Sequence, residues 1–405
     1  MTRALIFEPK VTGHYLTYVA AMIPAFLDRG IKVVLVLSAT AEDSDAYHYK
    51  LSKFEQDIEV KFLLPAGRYK HDALNTLIWN KSLLALLENE EFEAIFVPGG
   101  DNFPLASLFT SRRRFRRALR GAPLAYGLVL FNLHGEAPTL KQKLINKIRV
   151  IALQKTYGDK LCINDPFAFD WLAREHQALS RKFALIPDPI ESFEPVSKLS
   201  ARKILNMPVE GRYVGVVGAL STNPKKGLAD FVNALSLLKD ESDLHALFAG
   251  KMTNATLHLI SSLKSVFGSR LVVIDRFLTD KELHIAVSSL DVVCTPNTGN
   301  IGVSGIVMRA LQANRIVVGS NVGWQATAIP MLGLGSVVNV DDPQLFAKAI
   351  INASHLGEAA VNQKGARMLE YSSKMNFGQT WLDAVGLSSG TECLKWNHVI
   401  ANSRS

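Results

Sequence analysis

The sequence predicts an α/β protein that contains two doubly wound, Rossmann-like parallel sheets. Short apolar runs rich in β-branched residues alternate with longer helical patterns from end to end, which is typical of βαβ units. The alternation breaks once, at the proline-rich stretch "LIPDPIESFEP", and then restarts. At 405 residues, the chain is also long for a single hydrophobic core. We therefore expect two domains of the same class.

The first domain is predicted over residues 1–188. Its strands are expected at 3–9, 31–38, 60–66, 94–100, 123–131 and 160–165. Its helices are expected at 14–30, 72–89, 105–120, 139–157 and 166–178. Because strands and helices alternate strictly, the strands should run parallel, with the helices as crossovers.

A linker is predicted at residues 189–204 because its prolines and polar residues interrupt helix and strand patterns. The second domain then covers residues 205–370. Its strands are expected at 213–220, 244–250, 270–277, 291–296, 315–320 and 336–340. Its helices are expected at 227–239, 254–266, 279–290, 304–314 and 342–354. Another helical pattern lies within 371–390, and residues 391–405 read as a loosely held tail.

Composition places the chain among folded globular proteins, with 48% apolar residues. Its first ten residues reach Glu8 and Lys10 too early for a signal peptide, and no apolar run is long enough to span a membrane. The three cysteines are far apart, so the sequence indicates neither a disulfide framework nor a zinc site. We expect a cytoplasmic protein.

Positive charge is concentrated in residues 111–155, which carry eleven Lys or Arg against one acid, Glu136. The net charge is +8, so the other residues together carry −2. Basic residues interleaved with Leu and Ile suit an anionic membrane surface or another polyanion, and they equally suit a solvated face. No nucleic-acid-binding motif accompanies the charge, so we expect no nucleic acid partner.

The turn "GALSTNPKKGLADF" joins a predicted strand to a helix and brings Lys225 and Lys226 to the helix start. Free amides and the helix dipole attract anions at such a position, so a lysine there is well placed to neutralise a diphosphate. The alternative is a plain surface connection, since the phosphate-binding spacing GxxxxGK[ST] is missing.

A second candidate is the glycine-rich stretch "NTGNIGVSGIVMRAL". Gly302 and Gly305 permit close backbone approach to a ligand, and Ser304 suits the N-cap of the helix that follows. The amides of Gly305 and Ile306 would then be phosphate donors. The alternative is that these glycines only form a tight turn.

In the first domain, Gly13 follows the first strand and again permits close approach to a ligand. His134, with Glu136 beside it, follows another strand and is either a functional group or a hydrogen-bonded structural histidine. Asp101 and Asn102 either bind hydroxyl groups or cap the next helix. Ligands of open parallel sheets bind beyond the carboxyl ends of the strands, so a cleft between two facing domains is the expected site.

The order of segments resembles retaining glycosyltransferases of family 4, which have the GT-B fold. The resemblance rests on "LHGEAP", "ALIPDPIESFEP", "GALSTNPKKGLADFVNAL", "FLTDKELHIAVSSLDVVCTP" and "MRALQANRIVVGSNVGW". It covers nearly the whole chain and is strongest over about 213–352. It implies two Rossmann-like domains facing across a nucleotide-sugar cleft, with the final helix crossing back onto the N-terminal domain.

The resemblance also implies roles for single residues. Lys226 matches the lysine that binds the donor diphosphate, and Gly13 matches a loop glycine that approaches it. His134 matches a histidine near the transferred sugar. Arg276 and Phe277 fall where the family lines the base pocket. No metal or other cofactor is expected, because lysine, arginine and helix amides neutralise the diphosphate.

Three positions depart from the family pattern. Ala219 stands where an arginine is usual, and Ile301 and Arg309 stand where the family has two glutamates that contact the sugar and the ribose. Arg309 and Lys225 either replace lost phosphate contacts or, in the case of Arg309, form an internal ion pair.

These expectations define a glycosyltransferase of retaining, hexosyl-transferring type that uses a nucleotide-diphosphate sugar. Its acceptor would be a glycan or a lipid-linked hydroxyl in polysaccharide or glycoconjugate assembly, at the inner face of a membrane if residues 111–155 bind lipid. The missing glutamates leave two alternatives: a non-catalytic GT-B subunit that binds a glycan or a partner, and another reaction on the same fold, such as epimerisation of a nucleotide sugar.

Overall fold

The chain divides into two compact units in the computed structural model. The first comprises residues 1–189 and 372–396, and the second comprises residues 190–371 and 397–405. The residues that the structure describes are 2–11, 14–67, 69, 72–128, 140–299, 302–387 and 393–401, without the side chains of 140–142.

The first unit is a seven-stranded parallel sheet covered by helices, as far as the described residues extend. Its strands are β1 (Arg3–Glu8), β2 (Lys32–Ser38), β3 (Glu59–Leu64), β4 (Ala94–Val97), β5 (Leu124–Leu128), β6 (Lys160–Ile163) and β7 (Phe183–Leu185). Its helices are α1 (Tyr15–Asp28), α2 (Asp45–Lys50), α3 (Asp72–Asn89), α4 (Phe103–Ala106), α5 (Arg112–Leu119), α6 (Leu140–Lys155) and α7 (Pro166–Glu175). The strand order is β3-β2-β1-β4-β5-β6-β7.

The second unit contains a six-stranded parallel sheet among its described residues, in the order β10-β9-β8-β11-β12-β13. Its strands are β8 (Arg212–Val217), β9 (Leu244–Ala249), β10 (Leu271–Ile274), β11 (Val292–Thr295), β12 (Ile316–Ser320) and β13 (Gly335–Val338). Its helices are α8 (Lys198–Ile204), α9 (Leu228–Ser236), α10 (Asn254–Ser261), α11 (Lys264–Phe267), α12 (Asp280–Ser288), α13 (Gly305–Gln312), α14 (Trp324–Met331), α15 (Pro343–Ser354) and α16 (Gln363–Tyr371). The predicted class of two doubly wound parallel sheets is confirmed.

Two predicted helices are interrupted in the structure. The pattern at 105–120 is divided between α4 and α5 because Ser111 starts a new helix, its hydroxyl accepting a hydrogen bond from the Arg114 amide at 3.4 Å. The pattern at 254–266 is divided between α10 and α11. Strand β7 and helices α2, α8, α14 and α16 were not predicted from the sequence.

Residues 190–204, assigned to the linker from sequence, belong to the second unit and include α8. Arg202 on α8 is buried and donates to Asp291 at 2.7 Å, while its guanidinium lies over the Tyr213 ring. Lys198 approaches the same carboxylate at 2.7 Å. A buried arginine with a carboxylate partner therefore holds this helix against the second sheet.

Helix α17 (Lys374–Ala384) belongs to the first unit, although it follows the second in sequence. It packs closely on α1, where a side chain at Gly378 would meet Ala25 Cβ at 2.6 Å. The buried Trp381 lies edge-on to Phe96, with ring centroids 6.0 Å apart. The described chain ends with α18 (Trp396–Ile400).

The basic helix α5 packs one face on the core of the first unit and exposes its arginines. Phe115 is fully buried and stacks on Tyr157, with ring centroids 3.7 Å apart. Arg114 forms an ion pair with Glu88 at 2.6 Å. Four other arginines of the helix are exposed and have no acidic partner among the described residues: Arg112, Arg113, Arg116 and Arg117.

The first half of α6 carries apolar side chains that are exposed to solvent. Leu144 is 61% exposed, and Ile145 and Ile148 are also exposed, while Lys143 and Lys147 lie among them. Ala152 and Leu153, further along the same helix, are fully buried. In the part of the chain that the structure describes, no helix combines the length and apolar character that crossing a membrane requires.

Candidate functional site

The order of strands in the second sheet reverses between β8 and β11. In open parallel sheets, ligands bind at this switch point, beyond the carboxyl ends of the two strands. Residues 219–227 follow β8 and form the lysine loop. Residues 296–304 follow β11 and form the glycine loop, of which 300 and 301 lie outside the described residues. We call the two loops together the mouth of the second unit.

The lysine loop is shaped by a short 3-10 turn over Pro224–Lys226. Asn223 starts this turn, because its side-chain oxygen accepts from the Lys225 amide at 3.0 Å. Gly227 then adopts φ +66°, where a Cβ would lie 2.1 Å from the Pro296 carbonyl oxygen. The side chains of Lys225 and Lys226 are exposed, and neither has an acidic partner among the residues described. The loop therefore presents two cations to solvent at the start of α9.

Backbone hydrogen bonds join the glycine loop to the lysine loop. The amides of Thr298 and Gly299 donate to the Lys225 carbonyl at 3.1 and 3.0 Å. The Asn297 side chain accepts from the Gly299 amide at 3.0 Å, and the Asn297 carbonyl accepts from Gln325 at 2.8 Å. The two loops thus form one connected structure, in which the position of the lysines depends on the glycine loop.

Helix α13 begins where the glycine loop ends. Ser304 occupies the N-cap and its hydroxyl accepts from the Val307 amide at 3.5 Å, as its sequence position predicts. The first residues of the helix are Gly305 and Ile306. The Ile306 side chain reaches within 3.7 Å of the position that a Cβ on Gly218, at the end of β8, would occupy. The positive end of α13 therefore borders the same mouth as the lysine loop.

Arg309, one turn into α13, forms an ion pair with Asp280 at the start of α12. Its guanidinium also donates to the Asp280 carbonyl at 3.0 Å and lies over the Phe193 ring, 5.6 Å from the centroid. Of the two alternatives drawn from the sequence, the structure has the internal ion pair. The role of Arg309 as a phosphate ligand stays a prediction.

Arg276 and Phe277 follow β10, at the edge of the sheet. Arg276 pairs with Glu282 at 2.7 Å, and Glu282 also accepts from the Thr279 amide at 2.8 Å, completing a capping box at the start of α12. Phe277 is 76% exposed. An exposed aromatic ring after a strand end is available for stacking, which suits its predicted place beside a base.

The mouth of the first unit, to which residues 9–11, 14, 15 and 98–102 contribute, is filled by polar side chains of the unit itself. Glu8 at the end of β1 is fully buried and accepts from the amides of Lys10 at 3.0 Å and Gly99 at 2.6 Å. Burial raises the pKa of Glu8 to about 8. Lys10 is also buried and contacts the Tyr15 hydroxyl at 3.1 Å and Asp72 at 3.3 Å. The only sequence signal for this cluster is an acid at the end of an apolar strand, and Glu8 was given no functional role from it.

A second polar cluster of the first unit, also missed from sequence, surrounds Asp188. Tyr18 on α1 donates a short hydrogen bond to Asp188, and Asn164 after β6 donates to it at 3.2 Å. Burial raises the pKa of Asp188. The three residues lie far apart in sequence, so only the strand order brings them together.

Gly13, His134 and Ile301 lie outside the described residues, so their predicted places have no structural account. The structure brings together Lys225, Lys226, Gly302, Ser304, Gly305 and Ile306 around one mouth, and it places Arg276, Phe277 and Arg309 beside the start of α12. Asn102 takes the N-cap position of α4 without a capping side-chain hydrogen bond. The ligand-binding roles of these residues stay predictions.

Two doubly wound parallel sheets, the second with a phosphate-suited mouth at its switch point, define the class as GT-B, the fold of many glycosyltransferases. Residues 211–355 match the family model described as glycosyl transferases group 1. This segment contains both loops of the mouth, and over these residues the match confirms the resemblance to glycosyltransferases. Retention of configuration stays a prediction. No curated protein matches the chain in sequence.

Solved structures with the same fold match nearly the whole chain. Anabaena HepE in complex with UDP-glucose is 14% identical, with a TM-score of 0.64, and the match covers 95% of this chain and 99% of that one. Sucrose-phosphate synthase from Thermosynechococcus elongatus is 14% identical, with a TM-score of 0.64 and coverages of 99% and 96%. The lipopolysaccharide outer core galactosyltransferase WaaB is 11% identical, with a TM-score of 0.64 and coverages of 95% and 99%.

Proposed function

We propose that this protein is a glycosyltransferase that moves a hexose from a nucleotide-diphosphate sugar to a hydroxyl of a glycan or lipid-linked acceptor. The observation that carries the proposal is the hydrogen-bonded pair of lysine loop and glycine loop beside the N-terminus of α13. This arrangement supplies two cations and free helix amides at one point, as a diphosphate requires. A uridine nucleotide is our choice of donor, since HepE was solved with UDP and UDP-glucose.

In the proposed mechanism, Lys226 and the amides of Gly305 and Ile306 stabilise the diphosphate as negative charge develops on it. Lys225 adds a second cation at the same mouth, and Gly13 is proposed to contact the diphosphate. We propose retention of anomeric configuration, with attack on the face that the leaving phosphate occupies and transfer of the acceptor proton to that phosphate. His134 would contact the transferred sugar. The mechanism uses no metal ion, because lysine and helix amides neutralise the charge.

We also propose that the protein works at an anionic membrane surface on the cytoplasmic side, in polysaccharide or glycoconjugate assembly. Support comes from α5 and α6, where the exposed arginines lie close in sequence to the exposed Leu144, Ile145 and Ile148. Basic residues attract anionic lipid, while apolar side chains insert at the level of the headgroups. A lipid-linked acceptor would be found at such a surface.

A non-catalytic GT-B subunit is the second candidate. The observation that favours it is the ion pair between Arg309 and Asp280, because a family glutamate would occupy the position of Arg309. Calorimetry with a panel of nucleotides and nucleotide sugars separates the two proposals. Saturable binding to none of them would favour the non-catalytic subunit.

Lys226→Ala tests the proposed enzyme. We expect release of UDP from UDP-glucose or a related donor to fall at least about tenfold, which is about 1.4 kcal/mol in the barrier. Lys239→Ala removes another exposed lysine of the same unit and should leave turnover unchanged. Unchanged turnover in Lys226→Ala would remove this lysine from the site, and an equal fall in both variants would indicate a nonspecific effect of charge.

A further inference from the structure

Two buried side chains of the second unit fix the glycine loop near its start. Gln325, the second residue of α14, is 3% exposed, and Ser320, the last residue of β12, is fully buried. The Gln325 side-chain amide donates to the Asn297 carbonyl at 2.8 Å and to the Ser320 hydroxyl at 3.1 Å. The Ser320 hydroxyl donates to the same carbonyl at 3.2 Å. The Asn297 carbonyl is therefore held by two donors that are themselves fixed in the core of the unit.

Gly299, two residues further along the glycine loop, lies against the side chain of Lys225. Its amide donates to the Lys225 carbonyl at 3.0 Å. A Cβ on Gly299 would lie 2.5 Å from Lys225 Cβ and 3.0 Å from Lys225 Cδ, which is closer than carbon atoms approach. Only glycine therefore leaves room for the Lys225 side chain in this direction, and the loop backbone borders the aliphatic part of that side chain.

The path of the chain connects these two sets of contacts. Asn297 and Gly299 are separated by one residue, so the donors that fix the Asn297 carbonyl also limit where Gly299 can lie. The Asn297 side chain accepts from the Gly299 amide at 3.0 Å, which ties the two residues more closely. A lysine loses conformational freedom when its ammonium binds a phosphate. That loss is smaller if the backbone beside its aliphatic part already restricts its direction.

We propose that Gln325 is a positioning residue of the donor site. By fixing the Asn297 carbonyl, it holds Gly299 beside the Lys225 side chain and so directs the Lys225 ammonium to the donor diphosphate. Lys226 should depend less on Gln325, because it is Lys225 that borders Gly299. This inference rests on the proposed function of the same mouth.

The test measures binding of UDP by calorimetry on the full chain, and binding of uridine by competition with UDP. Uridine keeps the base and the ribose but has no phosphate, so the ratio of the two affinities reports the phosphate contacts. We expect Lys225→Met to lower this ratio about tenfold, as loss of a hydrogen bond to a charged group predicts. Gln325→Met keeps an unbranched side chain without a donor. It should lower the ratio about threefold, because Lys225 is misdirected and not removed.

A double variant separates positioning from a general loss of packing. In Lys225→Met/Gln325→Met the ratio should equal that of Lys225→Met alone, since Gln325 acts through Lys225, and additive losses would contradict the proposal. Ser289→Ala is the matched control, because it removes a buried hydrogen bond of the same unit, to the Ala286 carbonyl at 2.7 Å. Ser289 precedes β11, whereas Asn297 follows that strand. The control should therefore bind UDP and uridine as wild type does.

The outcomes separate this inference from the proposed function. If the wild-type protein binds neither UDP nor any nucleotide sugar, the proposed function fails and the inference fails with it. If it binds UDP and Gln325→Met keeps the wild-type ratio, the inference is overturned and the proposed function stands. If Gln325→Met does not fold, Gln325→Glu keeps the shape of the side chain and replaces its donating nitrogen with an oxygen acceptor. A wild-type ratio in that variant would overturn the inference equally.

Discussion

The mouths of the two units lie at equivalent positions, where the strand order of each sheet reverses. Their ionisable side chains nevertheless differ in whether they are buried or exposed. In the first unit, Glu8 and Lys10 are buried and are met by protein groups. In the second, Lys225 and Lys226 are exposed beside the amides of a helix start. The strand order therefore determines where each mouth lies. The side chains at the mouth determine whether protein groups fill it or whether it is open to a ligand.

The outward faces of the units differ as well. The basic segment 111–155 lies in the first unit and carries +10, while all other residues together carry −2. Under the proposed function, the first unit would contact the membrane surface or the acceptor, and the second unit would hold the donor. Three experiments test this difference between the units.

The largest effect is expected on membrane binding. Changing Arg112, Arg113, Arg116 and Arg117 to Ser should reduce sedimentation with phosphatidylserine-rich vesicles at least about a hundredfold, since each arginine near an anionic surface contributes about 1 kcal/mol. High salt should reduce wild-type binding in the same way.

The matched control for the arginine variant changes four exposed lysines of the second unit to Ser: Lys203, Lys239, Lys264 and Lys281. It removes the same net charge and should retain most vesicle binding. Equal losses in the two variants would mean that overall charge, and no particular face, governs binding. Equal wild-type binding to phosphatidylcholine vesicles would contradict the membrane proposal altogether.

The next effect concerns the closed mouth of the first unit. The pKa of Glu8 is raised to about 8 in the folded protein, from an ordinary value of 4.5, because the carboxyl is buried. The folded state therefore binds a proton that the unfolded state releases between these pH values. Stability should fall as pH rises through this window, by about 1.4 kcal/mol per unit at most.

Glu8→Gln should remove this dependence. We expect the free energy of unfolding of the variant, measured in urea, to rise relative to that of wild type by about 3 kcal/mol between about pH 5.5 and about pH 8.5. Glu175→Gln changes an exposed acid of the same unit. Its free energy of unfolding should vary with pH in the same way as that of wild type. If the stability of Glu8→Gln varied with pH as that of wild type does, Glu8 would be ionised in the folded protein, and its burial would not close the first mouth.

The fold was predictable from sequence because helix and strand periods are local. The lysine loop and Ser304 were also found, since a turn, an N-cap and a helix start are written in adjacent residues. The break between α4 and α5 was not predicted from sequence. The helical pattern is continuous there, but Ser111 caps a new helix.

The rest of the candidate site depends on partners that are distant in sequence. Asp280 and Arg309 are 29 residues apart, and Glu8 accepts from Gly99, 91 residues away. Glu8 looked like a charged residue at a strand end, and nothing nearby in sequence indicates that the loop after β4 buries it. Periodicity predicts which face of an element is apolar, but it does not predict which polar groups the strand order brings together.

The smallest of the three effects concerns the junction that keeps the second mouth open. Gly227 has φ +66°, a conformation that costs an ordinary residue about 1–2 kcal/mol, and its Cβ would lie 2.1 Å from the Pro296 carbonyl oxygen. Gly227→Ala should therefore lower the free energy of unfolding by about 2 kcal/mol, measured without nucleotide. It should also weaken UDP binding, because the lysine loop must shift away from the glycine loop.

Gly305→Ala is the control, because a Cβ there meets nothing within 4 Å and Gly305 begins a helix. Its stability should equal or slightly exceed that of wild type, since alanine favours the helix. If Gly227→Ala were equally stable and bound UDP normally, contact between the loops would not determine where the lysines lie. The contrast between a closed first mouth and an open second mouth would then rest on side-chain exposure alone.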